Sequence, residues 1–539
     1  MALRSSPVPM PEKRISFKKG SNGNIYVYYT LRAYRNKYGK PTSSEAAIGK
    51  QDAETGMLIP NRRYYEIFHS EEGCEKSKMV EGKSKSTAIN RVSSCGTTYT
   101  LMELACRIGL RGIVEKSFPV NWDQILACAF YMLCEGNVML YIGDWFDETD
   151  VPFTDHMDDH HCSRLFSSIS YIERDRFFTE WVKFRLEQEY IAYDITSVST
   201  YSKGIDIAEW GYNRDKEKLP QINIGMFYGA ESRLPVYYDV YSGSVPDKSH
   251  LIFMMNGAEK LGISNVRFVI DRGFVKKDNL SFMAEKKYLF VTAFSGHLNA
   301  AKKIIDECKD SIRKAANRIN LFDVYALPVD IDLYGFDMKA HVYYDGQKQV
   351  LDEKELYAHI ERLGAELEKI DKKKRTTKKY TDFFIINEDG NSSFAQNNDK
   401  IDELLSRTGF FILLSNDESL NSTEVLQIYR GKDVIEKNFD QLKNGLDFKR
   451  LRTHLNATTD GKVFVAFIAL ILRSYMLNKI KQHEQIKHIT LEKALRELRK
   501  IKVLSFEDYT RTLLPLTKLQ KTILDAFHIS NDQIIFAFS

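Results

Sequence analysis

The chain is short of the features that would place it in several large classes. Its seven cysteines (Cys74, Cys95, Cys106, Cys128, Cys134, Cys162 and Cys308) form no Cys-x-x-Cys pair and no even framework. In a chain of this size that pattern predicts reduced thiols and an intracellular protein. The first residues, MALRSSPVPMPEKR, contain no apolar stretch, so no secretory signal is expected. The longest apolar run, Val463 to Leu472, is too short to span a bilayer and reads as a buried core helix. No internal repeat stands out. Charge is nearly balanced, with 77 basic and 73 acidic residues and a net charge of +4, so the whole chain is no polycation.

There is ample material for a core. Of 539 residues, 43% are hydrophobic, enough for more than one domain. Charge is unevenly distributed. Residues 1–50 hold ten Lys/Arg against Glu12 and Glu45, whereas residues 141–160 hold seven Asp/Glu and no Lys or Arg. A basic N-terminal part suits a phosphate backbone; residues 1–14 read better as a solvated tail.

Hydrophobic periodicity divides the rest. Residues 15–67 have strand composition (IYVYYTLRAY) with turns at NKYGKP and DAETG, and residues 70–97 read as a polar linker. From Thr98 the pattern is helical: TYTLMELACRIGL and RGIVEKSF, broken at Gly109, form a helix-turn-helix or a plain helical hairpin, and WDQILACAFYMLCEG follows. Phe177 to Tyr190 reads as a further helix. After Tyr190 come three strands: IAYDITSVST, ending in Asp194, then LPQINIGMFYG and LPVYYDVYSG. A helix (SHLIFMMNGAEKLG), a buried strand ending in Asp271 (VRFVIDRGF), a helix (KKDNLSFMAEKK) and a strand (YLFVTAF) follow. Three strands followed by alternating helix and strand is the arrangement of an RNase H-like mixed sheet.

Residues 296–415 interrupt that sheet. They carry a basic helix, strands around YALPVDIDLYGF and KAHVYYDG, a charged helix over Glu353 to Lys374 and the run KKKRTTKK, and read as an insertion with its own sheet. The predicted class is therefore α/β, an RNase H-like sheet with helices interrupted by a β-containing insertion and preceded by a β-then-helical region. The boundaries follow: 1–97, 98–189, 190–295 for the first part of the core, 296–415 for the insertion, 416–480 for the second part, and a helical 481–539 containing LEKALRELRK.

The most informative stretch is YRGKDVIEKNFDQLKNG, Tyr429 to Gly445. Ile435, Phe439 and Leu442 recur at helical spacing as one apolar stripe. Lys432, Glu436 and Lys443 run along its edge, and Asn444-Gly445 is a C-terminal stop. A carboxylate between cations suits metal and phosphate chemistry. Exposed Glu and Lys decorate most helices, so the stretch alone does not decide. Asp194 and Asp271 add to it, because a carboxylate at the end of a buried strand projects into a site. Phosphoryl transfer needs divalent cations on hard oxygen ligands, and two such ions about 3.5–4 Å apart activate the attacking oxygen and stabilise the leaving one. Asp194, Asp271 and Glu436, from two strands and one helix, fit that demand.

The ordered set resembles an insertion-sequence DDE transposase of the IS-four type, the branch marked by Tyr-x2-Arg-x3-Glu-x6-Lys. Tyr429, Lys432, Glu436 and Lys443 hold that spacing, with Lys in place of the usual Arg. YDITSVS and VIDRGF resemble the first and second acidic motifs. GYNRDKEKLPQINIGM, VYSGSVPDKSHL and TGFFILLSN resemble connecting segments, and GKQDAETGMLIPN the start of some members. The match covers 190–295 and 405–475 well and the N-terminal part loosely; the insertion and C-terminus match in position alone.

The resemblance implies that Asp194, Asp271 and Glu436 bind two Mg²⁺ (or Mn²⁺) ions and carry the chemistry. It implies cleavage at a transposon end to free a 3′-OH and transfer of that 3′-OH to target DNA. Tyr429, Lys432 and Lys443 would contact phosphates near the cut, with Arg430 able to substitute for Lys432, which keeps the charge but loses the bidentate fork. Tyr429 reads equally as a packed aromatic. Residues 1–165 would recognise the terminal inverted repeats. The partners implied are double-stranded DNA and a second copy in a synaptic homodimer, with no membrane. The setting implied is the cytoplasm of a prokaryote, at the nucleoid.

Weaker features remain. HMDDHHC (156–162) fits no closed zinc site and reads as an acidic loop. Trp210 and Tyr212 would stack on a flipped base or, the better reading, pack in the fold. His297 has no assigned role. KKKRTTKK faces DNA or solvent. The rivals to a transposase are a nuclease of the same fold that does not join strands, an inactive DNA-binding protein and a structural scaffold.

Overall fold

A computed structural model describes every residue except 1–6, 21–22, 36–40, 54, 69–88, 186–189, 246, 261–266, 371–376, 387–393, 433–436, 438, 508–509 and 539. Most of the predicted linker 70–97, the KKKRT of the basic run, Ile435 and Glu436 lie outside the described residues. The chain forms two units, Met1–Ala88 and Ile89–Ser539.

In the first unit, β1 (Ile15–Lys19), β2 (Ile25–Arg35), β3 (Pro41–Gln51) and β4 (Leu58–Pro60) pair in that order as an antiparallel sheet. This matches the strand composition of residues 15–67. Val27, Ile48 and Leu58 form a small core with Tyr64 from the helix Arg62–Phe68.

The second unit opens with β5 (Ile89–Ser94) and a layer of helices. Gly96–Arg107 and Leu110–Ser117 are separated by Gly109, whose φ of +72° is left-handed and suits glycine. A Cβ there would lie 3.0 Å from the Phe184 ring, so the turn also brings the backbone close to that side chain. The helix expected over Phe177–Tyr190 begins earlier, at Tyr171, and is described to Arg185; Tyr190 already belongs to the next strand.

The large sheet contains β6 (Tyr190–Ser199), β7 (Gln221–Gly229), β8 (Pro235–Ser242), β9 (Arg267–Ile270) and β10 (Leu289–Phe294). They lie side by side as β8–β7–β6–β9–β10, with β6–β7–β8 an antiparallel meander and β6, β9 and β10 parallel. This is the RNase H-like arrangement expected. Parallel neighbours need a crossover, and the helices Asp247–Lys260 and Lys277–Glu285 supply the two.

Among the described residues the insertion gives most of its strands to the core sheet and keeps a single two-stranded pair to itself. Its β11 (Arg318–Ile319), β12 (Val324–Leu333) and β13 (Phe336–Tyr344) extend the core sheet through the later β16 (Phe410–Ser415), which sits between β13 and β10 and pairs antiparallel with both. The result is nine strands in one sheet. The reason is the edge of β10. Left open it would expose a row of unpaired backbone groups, and β16, with Ile412, Leu413 and Leu414 buried, covers it. The helical part of the insertion keeps a core of its own. The helix Gly346–Lys369, capped by Asp345 and beginning seven residues before the expected Glu353, packs Ile360, Leu363 and Leu367 on Tyr380, Phe384 and Ile401. The short pair β14 (Phe384–Ile386) and β15 (Phe394–Gln396) closes it.

The helix Asn456–Gln482 runs through the main core. Its length and mean hydropathy of 1.7 over the most apolar window would suffice to cross a membrane, but 78% of that window is buried inside the protein. The helices Trp122–Glu135 and Asp159–Ser168 pack on it. After the helix Leu491–Arg499, β17 (Lys502–Phe506) pairs with both β18 (Arg511–Leu513) and β5, joining the two ends of the unit.

This helix buries Lys462, whose Nζ donates to the carbonyls of Asn137 (3.1 Å) and Arg452 (3.5 Å). Burial pushes its pKa down from 10.5 to about 7. Between those values the unfolded chain holds a proton that the folded chain lacks, so folding strength rises with pH, by at most about 1.4 kcal/mol per pH unit. The unfolding free energy of wild type relative to Lys462→Met is therefore expected to grow from about pH 7 to about pH 10 in denaturant titrations. A difference flat with pH would show that the ammonium is solvated.

Candidate active site

The centre of the large sheet is set by one change of pairing. β6 and β9 run parallel in the register Tyr190↔Arg267, Ile191↔Phe268, Ala192↔Val269, and there the pairing stops. Two positions further along each chain stand Asp194 and Asp271. The register therefore brings the two carboxylate-bearing positions to the same level on neighbouring strands, which lie about 4.8 Å apart. Asp271 follows β9 directly and caps the short turn Arg272–Phe274, its Oδ1 accepting from the Arg272 N–H at 2.8 Å.

Asp194 does not end its strand, as the sequence led us to expect. It is the fifth of ten residues in β6, because β7 goes on pairing with β6 as far as Ser199↔Gln221. What ends at this level is the support from β9. Every other residue of β6 is buried; Asp194 alone is partly exposed, its side chain at 14%, while Asp271 is at 45%.

Cations balance both carboxylates. Arg214 Nη1 lies 3.5 Å from Asp194 Oδ1, which also accepts from the Ile195 N–H at 2.8 Å. Lys432 Nζ lies 3.3 Å from Asp271 Oδ1, with its own side chain 8% exposed. Burial nevertheless holds the Asp194 carboxyl above the ordinary carboxylate range; Arg214 and Lys432 pull it down, and the nearby Asp271 pushes it up. Two carboxylates at one level, each beside one cation, are oxygen donors of the kind that hard divalent ions take. Among the described residues no group of three His, Cys, Asp or Glu is gathered for an ion; the expected third ligand, Glu436, lies outside them.

The signature stretch is not one helix from Tyr429 to Gly445. The helix carrying Tyr429 begins at Ser422, where Asn421 and Glu424 form a reciprocal capping box, and ends at Gly431 with Lys432 as its C-cap. Gln441–Gly445 is a turn of π-helix, ending at the predicted Asn444-Gly445 stop. Phe439 and Leu442 are buried as the stripe requires, Phe439 edge-on to Tyr228. Tyr429 is half-buried against the core. Arg430 is exposed and lies over the Phe322 ring at 4.7 Å.

Lys443 is buried and pairs with Asp215 at 2.6 Å. Arg450 reaches Glu217 at 2.6 Å and holds its carboxyl below the ordinary range, and the Ser199 hydroxyl donates to the same carboxylate. The β6–β7 loop is thus tied by one ion pair to the signature stretch and by a second to the segment after it, and it delivers Arg214 to Asp194. Sequence reasoning passed over Arg214, Asp215 and Glu217. They stand in the segment GYNRDKEK, where alternating charges were the available clue.

The remaining candidates lie apart from these contacts. Trp210 and Tyr212 are 65% and 83% exposed, so the preferred packing reading fails. His297 is exposed in the turn after β10. In HMDDHHC, Asp158 caps the helix Asp159–Ser168 and accepts from His161, His156 pairs with Asp147, and Cys162 is buried against Cys128. Lys379, in the basic run, pairs with Glu366.

A mixed sheet in this order is of the RNase H-like class. Residues 186–472, just over half of the chain, match the family described as Transposase DDE domain, and the protein belongs to it. It is a transposase acting on DNA, and domains of this family use divalent metal ions. No curated protein matches the chain. Among solved structures, a piggyBac transposase synaptic complex with hairpin DNA, determined by cryo-EM, is similar over 70% of each chain at 12% identity with a TM-score of 0.35.

Gly445 is set by close approach. A Cβ there would fall 2.3–2.5 Å from Nε, Cζ and Nη2 of Arg473. Arg473 is 1% exposed; its Nε donates to Gln441 Oε1 at 2.8 Å and its Nη2 pairs with Glu492. With the guanidinium held at both ends, Gly445→Ala should cost about 1–3 kcal/mol, read from denaturant unfolding. An unchanged midpoint would mean that Arg473 relocates freely.

Proposed function

We propose that the chain is an insertion-sequence transposase of the IS-four type, which cleaves the ends of its element and joins the freed 3′-OH to target DNA. The observation that carries this reading is the level placement of Asp194 and Asp271 on neighbouring parallel strands, with Lys432 of the signature stretch on Asp271. Asp194, Asp271 and Glu436 are the proposed ligands of two Mg²⁺ ions, for which Mn²⁺ can substitute. Bound there, such ions would favour deprotonation of the attacking oxygen and offset charge on the leaving one. The chain's own residues do the rest. The Ile195 N–H and Arg214 fix Asp194, the Asp271 carboxylate is held by the Arg272 N–H and Lys432, and Lys432 is placed to meet a phosphate once a cation takes its place on Asp271. The Lys443–Asp215 pair anchors the signature stretch to the loop that carries Arg214.

The proposed partners are duplex DNA carrying the terminal inverted repeats, target duplex and a second copy of the chain in a synaptic dimer. Trp210 and Tyr212, exposed on the β6–β7 loop, are candidates for stacking on a displaced base. The proposed setting is the nucleoid of a prokaryotic cytoplasm.

The test is cleavage of a labelled duplex carrying the element end and its flank, in Mg²⁺, Mn²⁺ or EDTA. Wild type should nick at the end only with metal, and Glu436→Gln and Asp194→Asn should lose at least two orders of magnitude in rate. Metal-independent nicking, or full activity in either variant, would sink the proposal. A parallel readout is thermal unfolding. Saturating Mg²⁺ at about 100 times its Kd should stabilise wild type by about 2.7 kcal/mol and leave Asp194→Asn unmoved.

A further inference from the structure

A surface cavity of about 530 Å³ in the C-terminal part is lined by Lys493, Arg496, Arg499, Lys500 and Lys502. All five are cations. The first three belong to the helix Leu491–Arg499, whose other face buries Leu491, Ala494, Leu495 and Leu498; Lys502 opens β17. Internal carboxylates account for part of this charge. Lys493 and Lys500 share Glu497 at 2.8 Å each, and Arg499 reaches Glu135 at 2.8 Å and Glu148 at 3.4 Å. Arg496 and Lys502 make no ion pair among the described residues.

Cations near a helix C-terminus complement its dipole, which accounts for Arg496, Arg499 and Lys500 as solvated surface. It does not account for Lys493, in the first turn where a cation is unfavourable, or for Lys502, which comes from a strand. Two elements place charge of one sign around one cavity. From Lys493 to Lys500 the helix rises about 10 Å, the axial rise of about three base pairs of duplex.

The cavity also connects to the signature stretch. Gln441 accepts from Arg473, and Arg473 pairs with Glu492, the residue before Lys493. One buried guanidinium separates the π-turn that carries Lys443 from the start of the basic helix.

We propose that this groove holds the phosphodiester backbone of duplex DNA that continues beyond the active site, with Arg496 and Lys502 as the phosphate-binding cations. The inference rests on the DNA-cleaving function proposed above. Contacts of this kind position DNA without reading its sequence. The duplex is either the element's own DNA past the cut or target DNA.

The experiment measures binding of the full-length protein to three labelled duplexes across a salt series: an element end stopping at the cleavage position, an element end extended on both sides, and an unrelated duplex. Arg496→Ala/Lys502→Ala is expected to lower the slope of log K against log salt by about 1.8, at about 0.9 per phosphate, on at least one of the longer duplexes. Nicking of the extended end should still occur when protein is in excess. Loss on the extended end assigns the groove to element DNA; loss confined to the unrelated duplex assigns it to target. Arg496→Lys/Lys502→Arg should restore the slope, which a merely structural role would not predict. A wild-type slope in the alanine variant on all three duplexes overturns the inference while leaving the cleavage proposal standing. Wild type that neither binds nor nicks DNA overturns both.

Discussion

The site depends on where β6 loses one neighbour and keeps the other. β6 is held by β9 through Ala192 and by β7 through Ser199. While both neighbours are present the strand is a buried core strand, and every side chain on it packs. Once β9 turns away at Asp271, β6 loses that neighbour while β7 still fixes its backbone, and Asp194 is the one residue of the strand that is partly exposed. The Asp194 carboxylate at that level is fixed by its strand and still partly exposed. Asp194 on a strand end would have had only half of that support.

The two facing carboxylates create an electrostatic problem that the surrounding structure answers with cations from distant segments. Arg214 comes from the β6–β7 loop and Lys432 from the C-cap of the helix Ser422–Gly431. Neither segment is held by apolar packing alone. The loop is pinned by Lys443–Asp215 and Arg450–Glu217, and the signature turn is pinned by Gly445 against Arg473. Buried ion pairs contribute little net stability, because desolvation offsets attraction, but removing one partner is costly. Such pairs hold geometry, and here they hold the cations in register with the carboxylates. Asp194 remains above the ordinary carboxylate range despite them, because burial outweighs the cations.

The nine-stranded sheet shows how an insertion joins a core. Its strands satisfy the open edge of β10 through β16, whereas its helices bury Ile360, Leu363 and Leu367 in a separate cluster. The sequence pattern showed strands and a helix between residues 296 and 415, and that much stands. Nothing in the pattern said which edge the strands would pair with, because hydrogen-bond partners across a long loop leave no trace in local periodicity.

Local features were legible for a local reason. The meander after Tyr190, the buried strand before Asp271, the break at Gly109 and the stop at Asn444-Gly445 follow from hydrophobic period and backbone preference, which neighbouring residues fix between themselves. The aspartates at 194 and 271 stood out in the ordered set with Glu436, since either alone reads as a turn or cap residue. The continuation of β6 past Asp194, the early start of the helix at Ser422, the exposure of Trp210 and Tyr212, and the partners Arg214, Asp215 and Glu217 were not legible. Each depends on which distant strand or side chain arrives at that point. The sequence by itself determined the elements and the acidic residues they carry. Only the tertiary structure decided their pairing, because β-sheet register and ion pairing are set by contacts between residues far apart in the chain.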